Sequence, residues 1–269
     1  MRHRGMRIGT IRLMAGMARV AAANIVGVGG SRAHAGCFCY QHCRPPACRV
    51  KDADRMAENL TIWTFDWVPK GPRGFVRDMR LRWAAEEAGL RYDVGTVPFE
   101  DRQPSHFDRQ PFGQVPFLTD GDITLFESGA CLLHLARKSD ILMPGDARGE
   151  AETIEWVIAA LNSIEMISVP WWFLGLSGER ENGLSGWMDS RLAHMEAVLS
   201  QREWLVEGRF TVADLLMADV LRIPVVRTRG ERPATEAYIQ RLVARPAFEK
   251  AHADQMAHFA AGDERRARG

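Results

Sequence analysis

The amino-terminal part of the chain lacks acidic residues. No aspartate or glutamate occurs before Asp52, whereas nine lysine and arginine residues do. From Asp52 onward, 34 acidic residues stand against 26 basic ones, so the net charge of +1 hides a mildly acidic body behind a basic leader. An acidic body argues against the basic surface that nucleic-acid binding requires, and we expect no nucleic-acid partner.

Three interpretations of the leader, residues 1–55, remain open. An arginine-rich, acid-free segment is typical of a targeting peptide, and Ala33-His34-Ala35 resembles a signal-peptidase site. Four cysteines spaced C-x-C-x3-C-x4-C suggest a metal site, but common zinc modules pair their cysteines as C-x2-C, and we predict no metal. Alternatively, translation starts at Met56, directly before a predicted strand. We expect an unstructured leader or a misassigned start, outside the packed body.

The body is poor in cysteine and in long apolar runs. Cys131 is its only cysteine, which excludes a disulfide framework. No apolar stretch looks long and uncharged enough to cross a bilayer, so we expect no membrane span and no membrane partner. With 46% apolar and 26% charged residues, the composition is that of a globular protein, which we expect to be cytoplasmic.

Hydrophobic periodicity divides the body into two halves. The periodicity of the first half predicts a strand, a helix, a strand, a hairpin and a helix, in this order, which is an α/β pattern. Asp120-Gly121 is the signal for the hairpin. Its predicted strands are 60–65, 92–97, 115–118 and 123–126, and its predicted helices are 75–88 and 128–137. Strand patterns stop after Pro144, and five helices predict an all-helical bundle: 150–167, 185–204, 212–221, 234–243 and 247–260. We therefore place domains at 58–140 and 148–262.

Several motifs follow one another in the body. They are the helix 79–90, Gln110-Pro111-Phe112-Gly113-Gln114-Val115-Pro116-Phe117-Leu118, Asp120-Gly121-Asp122, Leu125-Phe126-Glu127-Ser128, Phe210-Thr211-Val212-Ala213-Asp214 and Ala244-Arg245-Pro246-Ala247-Phe248. In this order they resemble the glutathione S-transferase family, over residues 60–260 and not over the leader. The resemblance implies an α/β thioredoxin-like domain followed by an all-α helical bundle domain, with glutathione as the co-substrate.

Glutathione is an acidic, extended tripeptide, and two motifs suit its cysteinyl and γ-glutamyl units. Val115 stands at a strand start and can offer its main chain to the cysteinyl unit, with a cis peptide bond before Pro116. Ser128 begins a helix, where free N–H groups favour the γ-glutamyl carboxylate, and Glu127 offsets the α-ammonium group. Read without the resemblance, Pro116 would be an ordinary trans proline and Ser128 a helix cap.

The polar segment before the third strand is suited to the glycine end of glutathione. We assign Gln114 to the binding site, and expect one or two residues of this segment to hold the glycine carboxylate: Arg102, His106, Arg109 and Gln114. Arginine is suited to bidentate carboxylate binding. For any single one of them, a solvated polar loop is the competing interpretation.

The first strand and helix lack the residue that usually activates glutathione in the family. Family members use a Tyr, Ser or Cys there, which donates to the glutathione sulfur and favours the thiolate. None of these residue types occurs from Trp63 to Met79. Thr64 is the only hydroxyl, and Arg73 stands near the usual Ser or Cys position. We predict that Thr64 donates to the sulfur, or that Arg73 and the helix N-terminus lower the thiol pKa.

Aromatic and capping residues complete the assignment. We expect an apolar pocket for the electrophile, lined by the aromatic cluster Trp171-Trp172-Phe173 and by Trp67. The alternative is that the cluster belongs to the core or to a dimer contact. Thr211 and Asp214 fit a capping box with a folding role.

The resemblance predicts a homodimeric detoxification enzyme, a transferase that uses the glutathione thiol on a small apolar electrophile. The alternative is a glutathione-binding protein without appreciable transferase activity, which acts as a ligand carrier or regulatory partner.

Overall fold

The computed structural model describes residues 60–176, 178 and 181–268. The interpretations of the leader as a targeting peptide, a cysteine metal site or a misassigned start before Met56 lie outside the described residues and stay untested. Four strands are found: β1 Leu60–Phe65, β2 Asp93–Val97, β3 Phe117–Asp120 and β4 Ile123–Phe126. The first domain also contains three helices, α1 Asp78–Ala88, α2 Pro104–Phe107 and α3 Ser128–Ala136.

The strands form one mixed sheet in the order β2-β1-β3-β4. β1 runs parallel to β2, with helix α1 as the crossover, and antiparallel to β3. β3 and β4 form a hairpin through Gly121, whose φ of +62° suits a glycine. The fold class predicted from the sequence, a thioredoxin-like domain followed by a helical domain, is thus confirmed. β3 begins two residues later than predicted, so Val115 and Pro116 precede the strand.

The second domain is helical. Its elements are α4 Ala147–Ala159, a π-helical segment Ala160–Glu165, α5 Met166–Leu176, α6 Ser185–Leu199, α7 Val212–Leu221, α8 Pro224–Arg227, α9 Pro233–Val243 and α10 Pro246–Arg268. Within the described part of 150–260, β-type pairing is limited to an isolated bridge between Val206 and Arg209. The continuous helical run Ala147–Leu176 and α10 extend well beyond the predicted ends at 167 and 260, whereas α6 ends at Leu199, before the predicted 204.

The helical run Ala147–Leu176 corrects one expectation from the sequence. It is 30 residues long, and its most apolar window has a mean hydropathy of 1.4, so by length and composition it could cross a membrane. The statement that no stretch of this kind exists was therefore wrong. The run also contributes Val157, Ala160 and Ile164 to the core, as a core helix of a globular protein does.

Local signals set the end of α1 and the start of α7, and the predicted capping box at the second is confirmed. Gly89 ends α1 in the left-handed conformation, with φ of +66°, and its N–H bonds back to the last turn. Thr211 and Asp214 form the capping box of α7: Asp214 Oδ2 accepts from Thr211 N at 2.9 Å, and Thr211 Oγ1 accepts from Ala213 N at 3.3 Å. Burial raises the pKa of Asp214 to about 6.

Candidate functional site

Val115 and Pro116 lie beyond the end of the strand ladder. The β1–β3 pairing ends with Trp63 opposite Phe117, and the peptide bond between Val115 and Pro116 is cis, as predicted. Among the described residues, no hydrogen bond is found for the main chain of Val115. An extended ligand can therefore bond to this N–H and C=O without displacing a protein partner.

The strand register brings the two predicted halves of the site together. Phe117 is opposite Phe126 in the β3–β4 hairpin, so the residues just before β3 lie beside those just after β4. Val115 and Pro116 are thereby placed next to Glu127 and Ser128. The unpaired main chain and the start of α3 form one edge of the domain.

Two buried side chains shape the loop that leads to Val115. Gln110 Oε1 accepts from the N–H groups of Phe112, at 2.7 Å, and Gln114, at 3.1 Å. His106 Nε2 lies 2.8 Å from Gln114 O. His106, a candidate for the glycine carboxylate, is thus buried and bonded through Nε2 to the loop itself, while the side chain of Gln114 is exposed. Gln110 was recognised only as part of a motif.

The two arginines of the same segment lie over aromatic rings. Arg109 stands 4.3 Å from the Trp63 ring, and its Nε donates to Ser105 O at 3.0 Å. Arg102 stands 5.1 Å from the Phe65 ring and is exposed. Among the described residues neither has a carboxylate partner, so both guanidinium groups can still bind an anion.

Glu127 and Ser128 form the start of α3. Glu127 is exposed and adopts φ +69°, an uncommon conformation for a residue with a side chain. Ser128 is only 7% exposed, and its Oγ accepts from Arg80 Nη1 at 3.2 Å. The helix has no side-chain cap at Glu127, and the Ser128 hydroxyl bonds to Arg80 instead of acting as the helix cap.

A buried ionic cluster lies behind Ser128, between the two domains. Arg80 donates to Glu165 of the π segment and to Asp219 of α7, each at 2.6 Å. Arg222 also binds Asp219 at 2.6 Å, and it reaches Gly74 O in the first domain. Burial alone would raise the pKa of both carboxyl groups, but the arginine charges hold each pKa below its usual range. The cluster was not foreseen from the sequence.

Thr64 lies in the interior of the first domain. Its side chain is fully buried beneath α1, and its Oγ1 has no partner in hydrogen-bonding geometry within the described part of the chain. Burial raises the pKa of the Asp78 carboxyl, and Arg82 and the Thr64 hydroxyl act in the opposite direction. A role at the glutathione sulfur would require this packing to open.

Arg73 is bound to the last helix. Its Nη1 and Nη2 donate to Asp263 at 2.7 and 2.6 Å, and Nη2 donates to Val68 O at 2.9 Å. Trp67, a predicted pocket wall, donates to the same Asp263 at 2.7 Å. The hydrogen bond from Arg73 holds the pKa of Asp263 well below its usual range. The charge of Arg73 is therefore already compensated, and the residue fastens the β1–α1 loop to α10.

An aromatic cavity of about 570 Å³ lies in the helical domain. Trp171, Trp172 and Leu176 of α5 line one side, and Val225 and Arg229 line the other. Trp171 is buried and donates to Ser185, whereas Trp172 and Phe173 are exposed and lie 5.0 Å apart. The cluster therefore provides both core and cavity wall.

The architecture is a thioredoxin-like sheet with unpaired main chain before β3, beside the start of a helix, and it is packed against a helical domain. Residues 71–137 match the N-terminal domain family of glutathione S-transferases, and residues 186–246 match the C-terminal domain family. Glutathione S-transferase 1 of Zea mays is 32% identical over 151 residues, which are 54% of this chain and 69% of the maize protein. The probable glutathione S-transferase GSTF1 of Oryza sativa subsp. japonica is 28% identical over 202 residues, 67% of this chain and 92% of the rice protein. The chain belongs to the glutathione S-transferase family.

Solved structures show the same fold. Ure2p in complex with glutathione superimposes with a TM-score of 0.62 at 20% identity, covering 72% of this chain and 98% of Ure2p. A glutathione transferase from Burkholderia graminis, with two glutathione molecules bound per subunit, gives a TM-score of 0.61 at 25% identity, covering 72% of this chain and 88% of that one.

Proposed function

We propose that this protein is a glutathione transferase, which uses the thiol of glutathione as a nucleophile on a small apolar electrophile. The observation that carries the proposal is the open main chain of Val115, placed beside the start of α3. This pairing suits an extended peptide that ends in a carboxylate. Family membership supports the same chemistry, because relatives across plants and fungi are named glutathione S-transferases.

Glutathione is held at the edge formed by β3 and α3. Val115, kept in place by Pro116, bonds to the cysteinyl unit through its main chain. Ser128 and the free N–H groups of α3 take the γ-glutamyl carboxylate, and the exposed Glu127 pairs with the ammonium group. Gln114 lies next to Val115 and takes the glycine end, with Arg102 or Arg109 of the same segment as the guanidinium for the carboxylate.

The start of α1 activates the thiol. Thr64 is buried and Arg73 is paired with Asp263. Neither side chain can therefore reach the glutathione sulfur unless the surrounding side chains rearrange. Within the residues described by the structure, no acceptor is found for the N–H groups of Val76 and Arg77, which precede α1. Such N–H groups at a helix N-terminus favour a thiolate over a thiol.

The electrophile takes the aromatic cavity of the helical domain. Its wall combines the Trp171 and Trp172 rings with the Arg229 guanidinium, which suits an apolar compound with a polar or electron-poor group. Arg229 stands 4.9 Å from the Trp171 ring and is held by Glu181 and Asp189.

The protein is a cytoplasmic homodimer that takes part in detoxification. An exposed aromatic pair next to the glutathione edge supports an interface: Phe112 is 66% exposed and stacks edge-on with Phe126. Exposed large aromatic residues are enriched at protein interfaces. The domain bounds 58–140 and 148–262 are supported by the break between two helices, because α3 ends at Ala136 and α4 begins at Ala147. Sedimentation at micromolar concentration tests the dimer, and the mass of a single chain would contradict it.

Titration of glutathione into the protein, followed by turnover assays, tests the function. The assays use an aryl halide and an organic hydroperoxide, to separate conjugation from reduction. Binding together with turnover of one electrophile supports the proposal. Binding without turnover of any electrophile would identify a carrier instead, and absence of binding would refute the site.

A further inference from the structure

Arg80 connects the start of α3 to the helical domain. Its side chain is 2% exposed, and every nitrogen has an acceptor. Nε donates to Asp219 at 2.6 Å, and Nη2 donates to Glu165 at 2.6 Å. Nη1 is shared between Glu165, at 3.3 Å, and Ser128 Oγ, at 3.2 Å. One buried guanidinium therefore links α1, α3, the π segment and α7.

The direction of the bond between Arg80 and Ser128 follows from chemistry. A guanidinium carries only donors, so the Ser128 oxygen must accept. A hydroxyl has a single proton, and the described residues offer no acceptor for the proton of Ser128. That proton remains available to a ligand at the open start of α3.

We propose that Arg80 is a positioning residue for Ser128, and that it makes this end of the site selective for ligands with a carboxylate at the γ-glutamyl position. The inference rests on the glutathione-binding function proposed above. Arg80 occupies an acceptor position of the hydroxyl, so Ser128 meets the ligand as a donor. A hydroxyl that accepts from a charged donor is polarised and gives a stronger hydrogen bond to an anion.

The net charge of the surrounding ionic cluster also favours a carboxylate at the start of α3. Arg77, Arg80 and Arg222 face the carboxylates of Glu165 and Asp219, which leaves one positive charge in excess behind α3. The pKa of each carboxyl lies below its usual range, so both stay ionised at neutral pH and keep Arg80 in place. The helical domain thereby takes part in recognising a ligand bound by the first domain.

The test compares glutathione with the analogue in which hydrogen replaces the γ-glutamyl α-carboxylate, 4-aminobutyryl-cysteinylglycine. Calorimetric titration is carried out on the parent chain, Arg80→Lys, Ser128→Ala and the double variant. Lysine keeps the charge, but its compact ammonium group cannot replace the planar guanidinium whose separate nitrogens reach Asp219, Glu165 and Ser128. We expect Arg80→Lys to weaken glutathione binding about tenfold, and analogue binding less than about twofold. In the double variant, Arg80→Lys adds no further loss to that of Ser128→Ala.

Arg82→Lys is the matched control. Arg82 is equally buried on the same helix and pairs with Asp78 at 2.8 Å, without contact to Ser128. It should change the affinities for both ligands alike. Three outcomes would overturn the proposal. Arg80→Lys could weaken the affinity for both ligands equally, or Arg82→Lys could weaken the affinity for glutathione alone. The affinity losses of Arg80→Lys and Ser128→Ala could also add up in the double variant.

Two further outcomes separate this inference from the proposed function. If circular dichroism shows that Arg80→Lys does not fold, Glu165→Gln replaces it and should give the same selective loss, about threefold, because it loosens Arg80. A parent chain that binds neither ligand refutes the glutathione site itself. A parent chain that binds both ligands equally well refutes only the role of Arg80 and Ser128.

Discussion

The two ends of the candidate glutathione site are built in different ways. The end at β3 and α3 consists of main chain beyond a strand ladder and a helix start, supported from behind by Arg80. At the other end, the loop between β1 and α1 has no Tyr, Ser or Cys, and its Arg73 is bound to Asp263 of α10. The first end keeps its polar groups open, whereas the second has its candidate groups occupied by the protein.

Binding and activation of a thiol peptide therefore depend on different parts of the structure. Main-chain recognition depends on strand register and a helix terminus, which hold regardless of most side chains. Activation of the sulfur needs a donor or a charge at one point, and here the helix terminus before α1 is left for that task. Each of the following variants tests one end against the other.

The largest effect is expected at the binding end, from Ser128→Ala. Loss of a hydrogen bond to a charged group costs about 1.5–3 kcal/mol, so glutathione affinity should fall about ten- to a hundredfold. Calorimetric titration measures the affinity. Helix content should stay unchanged in circular dichroism, because the hydroxyl does not cap α3. Unchanged affinity would remove Ser128 from the site.

An intermediate effect, on stability instead of chemistry, is expected from Arg73→Gln. The variant removes the ion pair with Asp263 and leaves only the Trp67 hydrogen bond between the β1–α1 loop and that carboxylate, so the melting temperature should fall by a few degrees. Turnover per folded molecule should change less than about threefold, since the charge of Arg73 is already compensated. A large loss of turnover with unchanged melting temperature would show that Arg73 does act on the sulfur.

Acid should abolish the stabilising effect of Arg73. Arg73 holds the pKa of Asp263 below its usual range, so the pair contributes stability above the unfolded pKa. The contribution is lost as the pH falls toward the folded pKa, where the carboxyl takes up a proton. The melting difference between the parent and Arg73→Gln should be full at pH 7 and shrink below about pH 4. Asp263→Asn should reproduce this profile, and a difference independent of pH would contradict the ion pair.

The smallest effect is expected from Thr64→Val. Valine has a similar branched shape, and the change removes a hydroxyl without a well-formed hydrogen bond. Turnover, and the pKa of the bound thiol followed by thiolate absorbance, should agree with the parent within about twofold. A tenfold loss of turnover at unchanged stability would restore Thr64 as the activating residue and remove the contrast between the two ends.

The glutathione-binding end was easier to predict than the interior behind it. Val115, Pro116, Glu127 and Ser128 follow one another in short motifs, and a hairpin signal between them predicts that they meet. No comparable signal in the sequence indicated that Arg80 is buried, because an arginine within an apolar helical pattern is also compatible with an exposed position. Its partners stand 85 and 139 residues further along the chain, at Glu165 and Asp219.

Signals within a few residues were sufficient for the strands, the hairpin at Gly121, the end of α1 at Gly89 and the capping box at Thr211. They act through backbone conformation and local hydrogen bonds, which depend on neighbours in the chain. Only the tertiary structure decided that Thr64 is buried, that Arg73 is paired with Asp263, and that Arg80 bonds to Ser128. Burial and ion pairing depend on which distant elements pack together, and a buried charge must find its partner wherever the fold brings one.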